Sequence, residues 1–140
     1  MQEKHVSHYR TLVKAPINKV WEALTRPEIV SSYFFGSQLI TTWEIGSSIC
    51  FKGEWEGKPY EDKGTVLDYK PNKSLSFSYL SNWSQLPDSP ENYLQITYHV
   101  NEVSEGTELM ISQTNYDEEK AKHSEGNWSA IMESMKKLVE

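Results

Sequence analysis

The 140-residue chain has room for one domain around one core, and an aromatic content of 12% argues against a disordered polymer. Its formal net charge of −6, with no dense Lys/Arg cluster, argues against a nucleic-acid backbone as the main partner. A single cysteine, Cys50, allows no internal disulfide, and no apolar stretch is long enough to span a bilayer. The opening residues MQEKHVSHYR lack the apolar centre of a signal peptide, so a soluble cytoplasmic protein with no membrane partner is expected.

Residues 6–14 alternate as a strand, with Tyr9, Thr11 and Val13 on one face and His8, Arg10 and Leu12 on the other. Pro16 suits the first turn of a helix, where its missing N–H costs nothing. Ile17, Val20, Trp21 and Leu24 then recur at helical spacing, which marks Trp21 as an anchor of that helix on a sheet. Pro27 opens a second short helix with Ile29, Val30, Tyr33 and Phe34 available for packing, and Gly36 ends it.

From residue 38 to residue 114 the signals are those of strands. Residues 39–45 form a first run, and residues 48–55 alternate Ile49, Phe51 and Trp55 against Cys50, Lys52 and Glu54. The stretch EGKP (56–59) reads as a turn, and strands at 63–69 and 74–80 flank KPNK (70–73), a tight reversal by its Pro-Asn chemistry. Residues 81–92, SNWSQLPDSPEN, carry two prolines and no periodicity. They read as a loop, with Trp83 either a lip over a groove or a loop anchor. Residues 93–103 and 107–113 make a hairpin about Ser104, Glu105 and Gly106, and the even strand spacing implies an antiparallel meander. Trp128, Ile131, Met132, Met135, Leu138 and Val139 then repeat at three and four residues. That is a terminal helix, with Asn127 as its N-cap and Glu133 paired with Lys137. Lys136 and Lys137 sit where they complement its dipole.

The order is β, α, α, about six strands, then α, which places the chain in the α+β class as one domain spanning residues 1–140. A curved antiparallel sheet has one apolar face to cover, and the long C-terminal helix supplies the cover while the short helices close one end.

Four stretches carry a resemblance: APINKVWEALTRPEIVSSYF, GTVLDYKPNKSLSFSY, GTELMISQTNY and EGNWSAIMESMKKLVE. Together they resemble the family related to the activator of the heat-shock-protein-90 ATPase, within the START-like (SRPBCC) superfamily with the birch-pollen-allergen helix-grip fold. The resemblance covers nearly the whole chain and rests on Ala-Pro-x-x-x-Val-Trp, Thr25-x-Pro27 and a late Gly-x-Trp. Two departures stand out. Tyr33-Phe34 occupies a position that is often Trp in the family, and the final strand, which often ends in His, ends in Gln113.

Members of that superfamily hold apolar or aromatic small molecules between the long helix and the sheet. Alternation nominates Phe51, Trp55, Phe77, Tyr79, Ile96, Tyr98, Leu109 and Ile111 as the inward set, facing Trp128, Met132 and Met135, with Trp83 at the lip. Methionine repacks easily around variable ligands. The same side chains would equally fill a solid core. Tyr79 and Tyr98 stand out, because a buried hydroxyl wants a partner.

His5, His8, His99 and His123 are scattered without metal-ligand spacing, and neither a nucleophile elbow nor a phosphate loop is present. No metal, cofactor or catalytic group is therefore expected. His99 should face outward, and Glu54, Glu56, Glu61 and Asp62 read as a solvated acidic turn. The resemblance implies a binder of a small hydrophobic or aromatic molecule, lipid- or polyketide-like. The alternatives are a co-chaperone-like regulator of the heat-shock-protein-90 ATPase and a small-molecule cyclase or hydrolase.

Overall fold

The structure, a computed structural model, describes residues 5–34, 36–82 and 84–140, with Trp55 placed by its backbone alone. Strand β1 (His5–Val13) leads into helices α1 (Ile17–Thr25) and α2 (Pro27–Tyr33). Six strands follow: β2 (Gln38–Thr41), β3 (Ser48–Trp55), β4 (Lys58–Lys70), β5 (Ser74–Tyr79), β6 (Leu94–Val103) and β7 (Gly106–Asn115). Helix α3 (Glu118–Val139) ends the chain. The seven strands form one antiparallel sheet in the order β1-β7-β6-β5-β4-β3-β2, so the meander closes by returning β1 to the side of β7. This is the expected helix-grip arrangement.

The two prolines start the two short helices as expected, Pro16 as the N-cap of α1 and Pro27 inside the first turn of α2. The Tyr33 hydroxyl donates to the Ala23 carbonyl at 2.8 Å and ties α2 back onto α1. Trp21 is buried and its Nε1 donates to the Tyr69 hydroxyl at 3.2 Å, which anchors α1 on β4.

Several boundaries differ from the sequence reading. The run at 39–45 yields a strand only to Thr41, because Trp43 takes a left-handed backbone (φ 62°) and leaves the ladder. Its indole instead stacks on Tyr69, centroids 5.5 Å apart, and donates from Nε1 to the Thr25 carbonyl at 3.0 Å. The turn predicted at 56–59 contracts to Glu56 and Gly57, both at positive φ, the pairing that two-residue hairpins favour. Strand β4 therefore starts at Lys58 rather than at residue 63, and runs on past a bulge between Val66 and Asp68.

Helix α3 also begins earlier than predicted. Asp117, not Asn127, is its N-cap, accepting from the Lys120 N–H at 2.8 Å. The first turns are polar, and what holds them to the sheet is a hydrogen-bonded relay rather than an apolar stripe. Ser124 Oγ meets Ser7 Oγ at 3.1 Å, and Asn115 Nδ2 donates to that same serine at 3.3 Å. Near the C-terminus the predicted Glu133–Lys137 pair is replaced by Glu133–Lys136 at 3.2 Å, and Lys136 also reaches Thr11 Oγ1. No helix among the described residues is long and apolar enough to cross a membrane.

Because the Asp117 carboxylate satisfies an otherwise orphaned N–H, Asp117→Ala should destabilise the fold by about 1 kcal/mol, and Asp117→Asn by much less. Urea denaturation of both variants measures the difference.

Candidate functional site: an aromatic cage beneath the terminal helix

The backbone of α3 comes closest to the sheet at β1 and β7, and that of α2 at β2. Between these supports, side chains bridge the helix layer and the sheet. Phe51, Phe77 and Tyr98 rise from the inward face of β3, β5 and β6. Phe34, at the C-terminal end of α2, and Trp128, in α3, descend to meet them.

The five rings close a circuit. Phe34 stacks on Phe51 with centroids 5.3 Å apart, and Phe51 meets Phe77 at 5.9 Å. Phe77 meets Tyr98 at 6.0 Å and 85°, and Tyr98 meets Trp128 at 5.7 Å and 87°. Trp128 returns to Phe34 at 6.2 Å. Such offset and edge-to-face pairs are each worth about 0.5–1.5 kcal/mol beyond area burial. Tyr79 stands edge-on to Phe51 at 6.1 Å. Phe34 and Tyr79 are half-buried while the other members are buried.

The polar atoms of the cage are unevenly partnered. Trp128 Nε1 donates to Gln113 Oε1 at 2.8 Å, so the glutamine fixes the indole. The Tyr33 proton goes to Ala23, and the Tyr79 hydroxyl donates to Asp62 Oδ2. Tyr98 is different. It is 5% exposed, yet its hydroxyl has no hydrogen-bond partner among the described residues. No fully enclosed side-chain nitrogen or oxygen among those residues lacks a partner, so the Tyr98 oxygen borders space that a water molecule can reach.

Burial raises the affinity of all three phenols for their protons. It pushes Tyr33 well above the usual tyrosine range, with the neighbouring Tyr98 phenol adding to the effect. It does the same for Tyr79, reinforced by the Asp62 carboxylate and, more weakly, by Tyr98. Burial alone raises Tyr98. Tyr98 lies within electrostatic reach of both Tyr33 and Tyr79.

Asp62 corrects the sequence reading of a solvated acidic turn. It is 6% exposed, lies opposite Phe51 in the β3–β4 register, and accepts from the Asn82 N–H at 2.8 Å as well as from Tyr79. The missed signal was alternation: Tyr60, Asp62, Gly64 and Val66 share a face once β4 is known to start at Lys58.

The remaining nominated residues divide. Ile96 and Ile111 are buried beside the cage, paired across strands with Phe77 and Tyr98. Leu109, Met132 and Met135 are fully enclosed in the core. Trp55 lies in β3 but its side chain is outside the described residues, as is the whole of Trp83. His99 is exposed on the outer face, as expected. Two surface hollows exist elsewhere. One of about 620 Å³ opens beside Lys14 and the β6–β7 turn, and one of about 370 Å³ lies along His8, Arg10 and His99. Neither includes the cage rings. No cluster of metal-ligating side chains occurs among the described residues.

A family model described as "Activator of Hsp90 ATPase homolog 1-like protein" matches residues 14–140. The chain belongs to this family. A solution structure of the protein ChR145 from Cytophaga hutchinsonii is 42% identical, with a TM-score of 0.85, covering 99% of this chain and 95% of that one. The Aha1 dimer from Colwellia psychrerythraea has the same fold at 20% identity, TM-score 0.74, covering 96% of each chain. The fold also recurs in CalU16 from Micromonospora echinospora at 16% identity and TM-score 0.75, over 98% of this chain and 85% of that one. No curated protein matches.

Two variants separate the roles of the tyrosines in this family member. Tyr98→Phe removes a hydroxyl with no partner and should leave stability within about 0.5 kcal/mol of the parent, whereas Tyr79→Phe strips Asp62 of a donor and should cost about 1–3 kcal/mol. Equilibrium urea denaturation distinguishes them.

The phenols also predict a pH dependence. Their folded-state affinity for protons exceeds that of the unfolded chain, so the folded state binds more protons in alkali. The associated stability is complete below about pH 10, where unfolded tyrosine ionises, and is lost as pH rises from there through the folded values. Urea midpoints recorded from neutral pH into alkali should fall only above that threshold, and phenolate absorbance should appear together with unfolding.

Proposed function

We propose that this protein binds a small apolar or aromatic molecule in the cage between α3 and the sheet, as a binder rather than a catalyst. The observation that carries the reading is the Tyr98 hydroxyl, nine-tenths buried, bordering accessible space, and without a partner of its own. A buried polar group left in that condition costs free energy, and ordered water or a ligand atom relieves it. Aromatic walls with a few placed polar groups are the usual make-up of a small-molecule site. Family membership supports the same reading through the shared fold.

Titration with small hydrophobic compounds should produce a saturable shift of the Trp128 indole N–H resonance, because that proton is held at the cage wall by Gln113. Bound ligand at a hundredfold excess over Kd should also raise stability by about 2.7 kcal/mol. A library of apolar and aromatic compounds that leaves this resonance unmoved throughout would overturn the reading.

The family description favours a second reading, in which the chain regulates a heat-shock-protein-90 ATPase. A change in that ATPase rate on addition of the purified chain, with no ligand effect on Trp128, selects it over the first.

A further inference from the structure

We infer that the hollow on the outer face of the sheet, bounded by His8, Arg10, His99 and Ser112, binds the phosphate group of a small organic phosphate monoester. The hollow measures about 370 Å³, within the range of small-molecule sites. Strand alternation sets it on the side of the sheet away from α3: Tyr98 and Ile111 point into the core, so His99, Met110 and Ser112 point outward.

Register brings the side chains together. Arg10, Met110 and His99 lie in one row across β1, β7 and β6, and His8 pairs with Ser112 in the next row. Met110 and Ser112 form the floor, with His8 and Arg10 on one side and His99 on the other.

Unused hydrogen-bonding capacity distinguishes this place from the rest of the face. Farther across it, polar neighbours satisfy one another. Ser76 Oγ meets Thr97 Oγ1 at 3.1 Å, Gln95 Nε2 donates to Ser76 Oγ at 3.3 Å, and the Gln95 N–H donates to Thr114 Oγ1 at 2.8 Å. Around the hollow, the side chains of His8, His99 and Ser112 have no hydrogen-bond partner among the described residues. Arg10 is held in place with donors to spare. Its Nε faces Glu108 Oε2 at 3.4 Å and its Nη2 donates to the Met110 sulfur at 3.6 Å. Both contacts use one edge of the guanidinium, and the Nη1–Nη2 edge stays open.

These donors define the charge and shape of the guest. A guanidinium, two imidazoles and a hydroxyl can all donate. No Asp or Glu lines the hollow, although the chain carries 20 of them against 14 Lys and Arg. Glu108 stands at the margin, engaged with Arg10. A metal ion does not fit, because β7 separates the two imidazole-bearing strands by about 10 Å, while imidazole–metal bonds are only about 2 Å long. A carboxylate offers two oxygens in one plane, which match Arg10 alone. A phosphate monoester offers three acceptor oxygens in different directions, and each extends its reach by a hydrogen bond of about 2.8 Å. The Met110 thioether in the floor gives the organic group an adaptable apolar contact.

Phenyl phosphate is the probe, with inorganic phosphate and phenol as its two halves. Each is titrated at neutral pH into the full chain while the imidazole C–H resonances of His8 and His99 are followed, two of only four histidines in the chain. Phenyl phosphate should shift both to saturation and leave the Trp128 indole N–H in place. Inorganic phosphate and phenol should each bind at least about tenfold more weakly. Arg10→Gln should weaken phenyl phosphate on the order of tenfold, the loss of a charge-assisted hydrogen bond. His99→Gln should weaken it severalfold. Both residues are exposed and the Arg10–Glu108 pair is a surface one, so both variants should fold. Lys137→Gln makes the same charge change on α3 as Arg10→Gln and should leave affinity unchanged.

A response that never saturates overturns the inference, as does a shift of Trp128 in place of the two histidines. Equal losses in Arg10→Gln and Lys137→Gln overturn it too, and so does inorganic phosphate or phenol matching phenyl phosphate. The interior binding proposed above stands or falls separately, on the Trp128 resonance.

Discussion

The closed circuit of Phe34, Phe51, Phe77, Tyr98 and Trp128 holds the two layers of this protein together where their backbones stand apart. Helix α3 is seated on β1 and β7 at one side, and α2 rests on β2 at the other. A curved sheet leaves an interior between such supports that side chains from both layers fill. Aromatic rings have the reach, and their mutual geometry constrains position as well as distance. The five members come from β3, β5, β6, α2 and α3, so the helix layer cannot shift on the sheet without breaking the circuit at more than one contact.

Around this circuit, among the described residues, most buried polar side chains are partnered and Tyr98 is not. Four pairs show it: Tyr33 with Ala23, Tyr79 with Asp62, Trp128 with Gln113, and Ser7 with Ser124. The first and last of these staple helices to their neighbours, and the Gln113 bond sets the plane of the indole that closes the cage. Tyr98 departs from this pattern in the middle of the array. In an interior of satisfied groups, an open donor is where a guest molecule would change the energy most.

Asp62 shows how one boundary error hides chemistry. With β4 begun at residue 63, the carboxylates near residue 60 belong to a turn and carry no directional information. With the hairpin tightened to Glu56 and Gly57, the strand gains five residues, Asp62 acquires an inward parity, and its burial beside Tyr79 follows. A two-residue turn and a four-residue turn were both compatible with EGKP. Cross-strand register decided between them. The N-cap of α3 was missed for a related reason: Asp117 precedes turns that are held by Ser124 and Asn115 rather than by an apolar stripe, and polar contacts leave no helical periodicity to read.

From the amino-acid order alone came the class of fold, the succession of elements, and the inward parity of Phe51, Phe77, Ile96, Tyr98, Leu109 and Ile111. These depend on local periodicity and turn chemistry, which operate over a few neighbouring residues. The pairing of β1 with β7, the meeting of Phe34 with Trp128, the burial of Asp62 and the open hydroxyl of Tyr98 depend on residues tens of positions apart. Only the assembled sheet and helices bring those into contact, since hydrogen-bond satisfaction is a property of the assembled interior and not of any segment within it.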